Sequence, residues 1–106
     1  MRERAEALVK KWQDAMGVEL AEWGIRRMKT KWGSCNPRAR TIRLNTELAK
    51  KPKDLLEYIV VHEMAHLIES RHSERFIQVL DRHYPSWREA RAELNDLPLS
   101  AEQWRE

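Results

Sequence analysis

Apolar residues recur in two rhythms along the chain, and each rhythm marks a different kind of element. Ala5, Leu8, Val9, Trp12 and Met16 fall three and four residues apart with Lys, Glu and Asp between them. That spacing predicts an amphipathic helix over 3–21 whose apolar stripe covers a core. From Trp23 to Lys31 apolar and basic residues partly alternate, and Thr41-Ile42-Arg43-Leu44 repeats a short strand pattern. Between them lies Gly33-Ser34-Cys35-Asn36-Pro37, whose composition reads as a turn, so a β-hairpin or two neighbouring strands is expected. Pro52 suits a first helical turn, and Leu55, Leu56, Ile59, Val60, Met64, Leu67 and Ile68 form a broad apolar stripe through about Glu69, the longest predicted helix. A further helix is expected from Ser73 to about His83, with Phe76, Val79 and Leu80 inward and Pro85 as its stop. Ser86-Trp87-Arg88-Glu89 has the spacing of a capping box and predicts a last helix through about Asn95. The tail from Leu97, with Pro98 and Trp104, follows no such rhythm, and the chain carries no repeat, low-complexity tract or flexible linker.

A chain of 106 residues holds one modest core and not two, so 1–106 is expected to be a single domain. With 42% apolar and 35% charged residues and few Gly or Pro, it reads as a folded, helix-rich protein rather than a disordered tail. No apolar run approaches the roughly 18 residues of a membrane span, and the first residues lack the apolar stretch and cleavage site of a signal peptide. A cytoplasmic location, with no membrane partner, is the expectation. One cysteine, Cys35, excludes an internal disulfide and agrees with a reducing compartment. Its plainest role is that of a small buried side chain.

The net charge of +3 hides an asymmetry. Arg26, Arg27, Lys29, Lys31, Arg38, Arg40 and Arg43 fall within residues 23–43, which hold no acidic residue, so the rest of the chain is net acidic. Such a segment attracts acidic partners, nucleic acid included. Read more plainly, it is a solvated pair of strands whose Lys and Arg discourage edge aggregation.

Chemistry concentrates at His62-Glu63-Met64-Ala65-His66. Residues four apart share a helix face, so both imidazoles can aim at one point and bind one zinc ion at roughly 2.0 to 2.1 Å. Glu63 reaches the same rim without ligating, where it can serve as general base toward a water whose pKa zinc lowers to about 7. The plainer alternative is a pair of histidines hydrogen-bonded at a helix surface. A catalytic zinc usually takes three protein ligands, so a third must be found. His72, six residues beyond His66 and past the expected helix end, is the first choice, with Ser73 placed to cap the next helix and hold the turn. Glu69, Glu74, Glu89, Glu93 and His83 are the alternatives. Tyr84, His83 and Arg71 are weak candidates for stabilising an oxyanion, and Trp12, Trp23, Trp87 and Trp104 read as packing residues.

Further residues extend the pattern: Trp32-Gly33-Ser34-Cys35, Ile42-x-Leu44-Asn45, Tyr58-Ile59-Val60-Val61 ahead of the histidine motif, and His72-Ser73-x-x-Phe76. In order and spacing across about 24–97 these resemble the YgjP-type metallopeptidase domain. More distantly they are similar to the SprT and WLM proteases, which digest proteins crosslinked to DNA and share the His-x-x-x-Phe element. The resemblance implies a zincin-like α+β fold with an N-terminal helix, a small antiparallel sheet, an active-site helix and C-terminal helices. It implies Zn2+ held by His62, His66 and His72, hydrolysis of a peptide or protein substrate with Glu63 as base, and Trp32 and Cys35 as structural positions. It also implies that the strand at 41–45 lies beside the cleft, so that Ile42, Leu44 and Asn45 would contact an extended peptide added to a sheet edge. Two features depart from related patterns. Many relatives carry a longer N-terminal region, and the histidine spacing matches that of metzincins although Glu69 stands at their turn glycine and no Met-turn is evident. The competing functions are an SprT-like, nucleic-acid-associated protease or basic DNA-binding module, a metal-stabilised protein without activity, and, for Cys35, an inhibitory metal ligand.

Overall fold

The computed structural model describes residues 1–96, in which one central helix packs on a three-stranded sheet and three further helices pack on that helix. The first helix, α1 (Arg2–Met16), buries the five residues that its periodicity singles out, Ala5, Leu8, Val9, Trp12 and Met16. It stops well short of residue 21 because Gly17 adopts φ 67°, a left-handed conformation open to glycine at little cost. The Gly17 N–H closes on the Gln13 carbonyl, and the Gln13 side chain accepts from Leu20 N.

Strands β1 (Glu22–Arg26), β2 (Gly33–Asn36) and β3 (Thr41–Asn45) form a sheet in the order β1-β3-β2. The expected small antiparallel sheet is thus mixed: β2 and β3 form an antiparallel hairpin, whereas β1 runs parallel to β3. The segment read as a turn from Gly33 to Asn36 is itself a strand, and the chain reverses at 37–40. There Asn36 Oδ1 accepts from Ala39 N and Arg40 takes φ 60°. Register places Trp23, Ile25, Ile42, Leu44, Gly33 and Cys35 on one face, toward the helices. Asn45 is wholly buried and ties the connections together, donating from Nδ2 to the carbonyls of Met28 and Lys31 and accepting at Oδ1 from Glu47 N. A 3-10 turn, Thr46–Lys50, follows.

Helix α2 (Lys53–Ala65) runs through the middle of the fold, packed on α1, α3 and α4 and on β2 and β3. Every side chain from Tyr58 to Ala65 is buried, so the apolar stripe is in fact a helix covered nearly all round. Its α-helical ladder ends at Ala65 rather than Glu69, giving way to tighter bonds from Leu67 N to Met64 O and from Ile68 N to Ala65 O. Helix α3 (Glu74–His83) is capped by Ser73, whose Oγ accepts from Phe76 N at 3.4 Å, and buries Phe76 and Leu80. Helix α4 (Trp87–Asn95) begins where expected, but Ser86 makes no side-chain cap. In place of the capping box, Trp87 Nε1 and Arg88 Nη1 both donate to Asp81 Oδ1. The buried residues Trp12, Trp32 and Trp87 and the half-buried Trp23 belong to the core, while Trp104 lies outside the described residues. Among the described residues no helix is long and apolar enough to cross a membrane.

Two contacts carry predictions. At Gly33 the strand β2 meets α2 so closely that a Cβ would lie 2.8 Å from Ile59 Cγ2 and 3.0 Å from Glu63 Oε2. Gly33→Ala is expected to cost roughly 1–3 kcal/mol, as overpacking of a filled core does, read as a lower urea midpoint with an unchanged slope. At the α1–α2 contact, Lys11 Nζ and Trp12 Nε1 both donate to Glu57 Oε2, at 2.8 and 2.9 Å. Partial burial pushes the Glu57 carboxyl up, but these bonds and the charges of Lys11 and Arg4 outweigh it and hold the pKa below its usual value. A depressed carboxyl stabilises the fold above its unfolded pKa and loses that contribution as pH falls through the folded one. Glu57→Gln should therefore be less stable than the parent by about 1 kcal/mol at pH 7. The gap should close as urea titrations are taken below about pH 4.

Candidate metal centre

His62 and His66 stand four residues apart at the C-terminal end of α2, where helical geometry aligns them. The turn through 66–73 then brings His72 back to the same point, although it lies outside any helix. One ring nitrogen from each of the three lies within 4.8 Å of the other two. His66 Nε2 and His72 Nε2 are 3.0 Å apart. Two nitrogens bound tetrahedrally at about 2.05 Å from one ion would be separated by roughly 3.3 Å, so small ring movements complete the fit. His66 Nδ1 lies 3.1 Å from the Ser70 carbonyl, which assigns its proton to Nδ1 and leaves the Nε2 lone pair facing His72. Burial holds His62 well below the ordinary histidine pKa, with His66 and His72 adding to the effect, and burial and then His72 lower His66 despite its bonds to the Ser70 and Glu69 backbone. Both are therefore neutral imidazoles near pH 7, the form that binds metals. The three residues fit a divalent transition ion on these grounds.

Glu63 is buried beside His62, at 3% exposure. Burial pushes its carboxyl up to about 8, while Lys31, on the loop between β1 and β2, pulls the other way. The carboxylate lies against Gly33, so the absence of a side chain there is what makes room for it. Neither Gly33 nor Lys31 stands out in the sequence as belonging to this site; the Trp-Gly-Ser-Cys run was the only signal. Cys35, on the same face of β2, has its thiol pushed up to about 12 by burial and by the Glu63 charge. Without a bound cation it remains a thiol at neutral pH.

The other expected site residues are placed elsewhere. Ile42 and Leu44 are wholly buried core side chains, and the Asn45 amide is committed to the loops on either side. Because β3 is the central strand, its backbone is paired on both edges and no peptide can add to it; on the α2 side the edge strand is β2. Among the described residues, none of Glu69, Glu74, Glu89, Glu93 and His83 joins the histidine group. Glu89 and Glu93 line a separate open cleft with Asp54 and Asp96. The Tyr84 hydroxyl donates to the Asp54 carbonyl, at the far end of α2 from His62. Arg26, Arg27, Lys29, Lys31, Arg38 and Arg40 are exposed, and Arg43 pairs with Glu22 at 3.7 Å.

Known structures share this architecture. The chain superposes on the metallopeptidase zymogen abylysin of Pyrococcus abyssi with a TM-score of 0.78 at 23% identity, covering 88% of this chain and 93% of that one. Against the metallopeptidase zymogen jannalysin of Methanocaldococcus jannaschii the TM-score is 0.76 at 22% identity, over 88% and 95% of the two chains. At such identities the likeness is one of fold. No curated protein matches the sequence. The model of the YgjP-like metallopeptidase domain matches residues 1–97, nearly the whole chain. This chain belongs to the YgjP-like family of metallopeptidase domains, hydrolases that work with a metal ion.

Proposed function

We propose that this chain is a zinc-dependent peptidase in which His62, His66 and His72 hold the metal and Glu63 is the general base. The observation that carries the reading is the convergence of three imidazole nitrogens within 4.8 Å beside a buried carboxyl. Three imidazoles without a thiolate form a ligand set that catalytic zinc sites use. When bound, zinc lowers the pKa of a water and polarises the scissile carbonyl as a Lewis acid.

The chain's own residues supply the rest. Glu63 takes a proton from the attacking water at its carboxylate and returns it to the leaving amine, a cycle suited to a carboxyl whose ionisation lies near neutrality. Lys31 and a neighbouring dication both favour the ionised form in which Glu63 begins that cycle. Gly33 keeps the carboxylate close to β2, and the edge of β2 left unpaired among the described residues offers backbone groups to an extended peptide. Substrate would thus lie along Gly33–Asn36, next to Glu63, rather than along β3.

Glu63→Gln should retain zinc, measured by mass spectrometry of the native protein, while turnover of an unfolded protein substrate falls by roughly 10²–10⁴ or more. Full activity in that variant would end the proposal. His72→Ala should weaken zinc binding by more than the roughly 10- to 100-fold typical of losing an outer-shell partner, and an unchanged metal content would reassign the third ligand. Removing the metal with a chelator should abolish hydrolysis and lower the melting temperature, with zinc restoring both, because an ion that binds only the folded chain stabilises it.

A further inference from the structure

The ring of Phe76 stands next to all three histidines. Its centroid lies 5.0 Å from that of His62, 4.6 Å from His66 and 5.0 Å from His72. Against His62 and His72 the rings meet edge to face, at 62° and 81°, and against His66 they are tilted at 48°. These separations and angles are the ones that aromatic pairs prefer. Phe76 is wholly buried, and its backbone position is fixed by the Ser73 cap on the first turn of α3. The ligands themselves are unequally constrained. His62 lies within a helix, His66 is at its C-cap with Nδ1 on the Ser70 carbonyl, and His72 sits in a turn, its ring set by no helical backbone.

From this geometry we propose that Phe76 is a positioning residue for the metal centre, a rigid aromatic platform against which the three imidazoles are held so that their ring nitrogens converge. The proposal rests on the assignment of the three histidines as ligands. An imidazole on a flexible Cα–Cβ–Cγ linkage sweeps its Nε2 over several ångströms as χ1 and χ2 vary, and one flat ring meeting three others removes that freedom from all of them together. A branched aliphatic side chain fills comparable space but cannot present edge and face to three rings at once. Because the platform comes from α3 and the imidazoles from α2 and the turn, packing α3 onto α2 orients the ligands before any ion arrives.

The test separates positioning from mere packing. Zinc affinity is measured by competition with a chromophoric chelator for the parent, Phe76→Leu and Leu80→Ala, at a temperature well below the melting point of each metal-free protein. Leu80 is the control, being wholly buried one turn further along the same face of α3. Phe76→Leu should lose roughly 10- to 100-fold in zinc affinity, the range found when an outer-shell partner is removed. Its cobalt-substituted form should show altered visible bands, since these report ligand geometry. Leu80→Ala should melt lower yet keep the parent's affinity and cobalt spectrum. Parent-like affinity and spectrum in Phe76→Leu would overturn the proposal, as would an equal loss in Leu80→Ala. Should Phe76→Leu not fold, Phe76→Met, flexible and nearly isosteric, is read by the same two criteria. Failure of the parent itself to bind zinc would instead overturn the ligand assignment, which keeps the two outcomes distinct.

Discussion

The structure depends on a helix buried on nearly every side that nonetheless carries two imidazoles and a carboxyl into the interior. From Tyr58 onward α2 has no solvent face, so its polar side chains must be tolerated by their surroundings rather than by water. They are tolerated largely by remaining uncharged. Burial keeps His62 and His66 neutral and raises Glu63, and it keeps the Cys35 thiol protonated beside them. The same low-polarity setting strengthens whatever electrostatic contact a bound cation makes there. Packing and chemistry therefore act through one feature, the burial of the C-terminal half of α2.

That burial needs a close approach from the sheet. Gly33 lets β2 come against Ile59 and Glu63, and Asn45 holds the preceding loop by its Met28 and Lys31 carbonyls so that the approach is fixed. Inserting β3 between β1 and β2 follows from the same arrangement. The buried Ile42 and Leu44 occupy the centre of the sheet, under the helices, and β2 is left as the edge nearest Glu63. An edge strand beside the carboxyl proposed as general base gives a peptide somewhere to pair without displacing a native strand.

Much of this could be read from the sequence wherever one face of an element decides its pattern. The apolar positions of α1 are legible because a half-buried helix displays its period, and Ser73 signals α3 because a capping side chain is a local device. Gly17 is also a readable stop, directly after the last residue of the apolar series, Met16. The strands were less legible. Gly33 to Asn36 looks like a turn because its small residues answer to a close contact with α2, a demand made by residues some 30 positions away in the chain. The parallel pairing of β1 with β3 is equally non-local, and no local pattern distinguishes it from a hairpin. At the site, the convergence of His62 and His66 follows from spacing alone. The central place of Ile42, Leu44 and Asn45 in the sheet is not legible, because spacing cannot tell a central strand from an edge.

A purely structural metal site would explain the three histidines but not the carboxyl next to them. Structural zinc sites are usually closed by four protein ligands, whereas the group here holds three among the described residues. Glu63 argues further in the same direction. A carboxyl whose folded pKa is raised to about 8 destabilises the metal-free fold as pH climbs past the usual glutamate value, an effect that saturates only above pH 8. A leucine or methionine at that position would pack against Ile59 and β2 without this penalty. A destabilising acid at the point where the helix meets both the imidazoles and the edge of β2 suits the proton transfer proposed for Glu63 and is not what stability alone would favour.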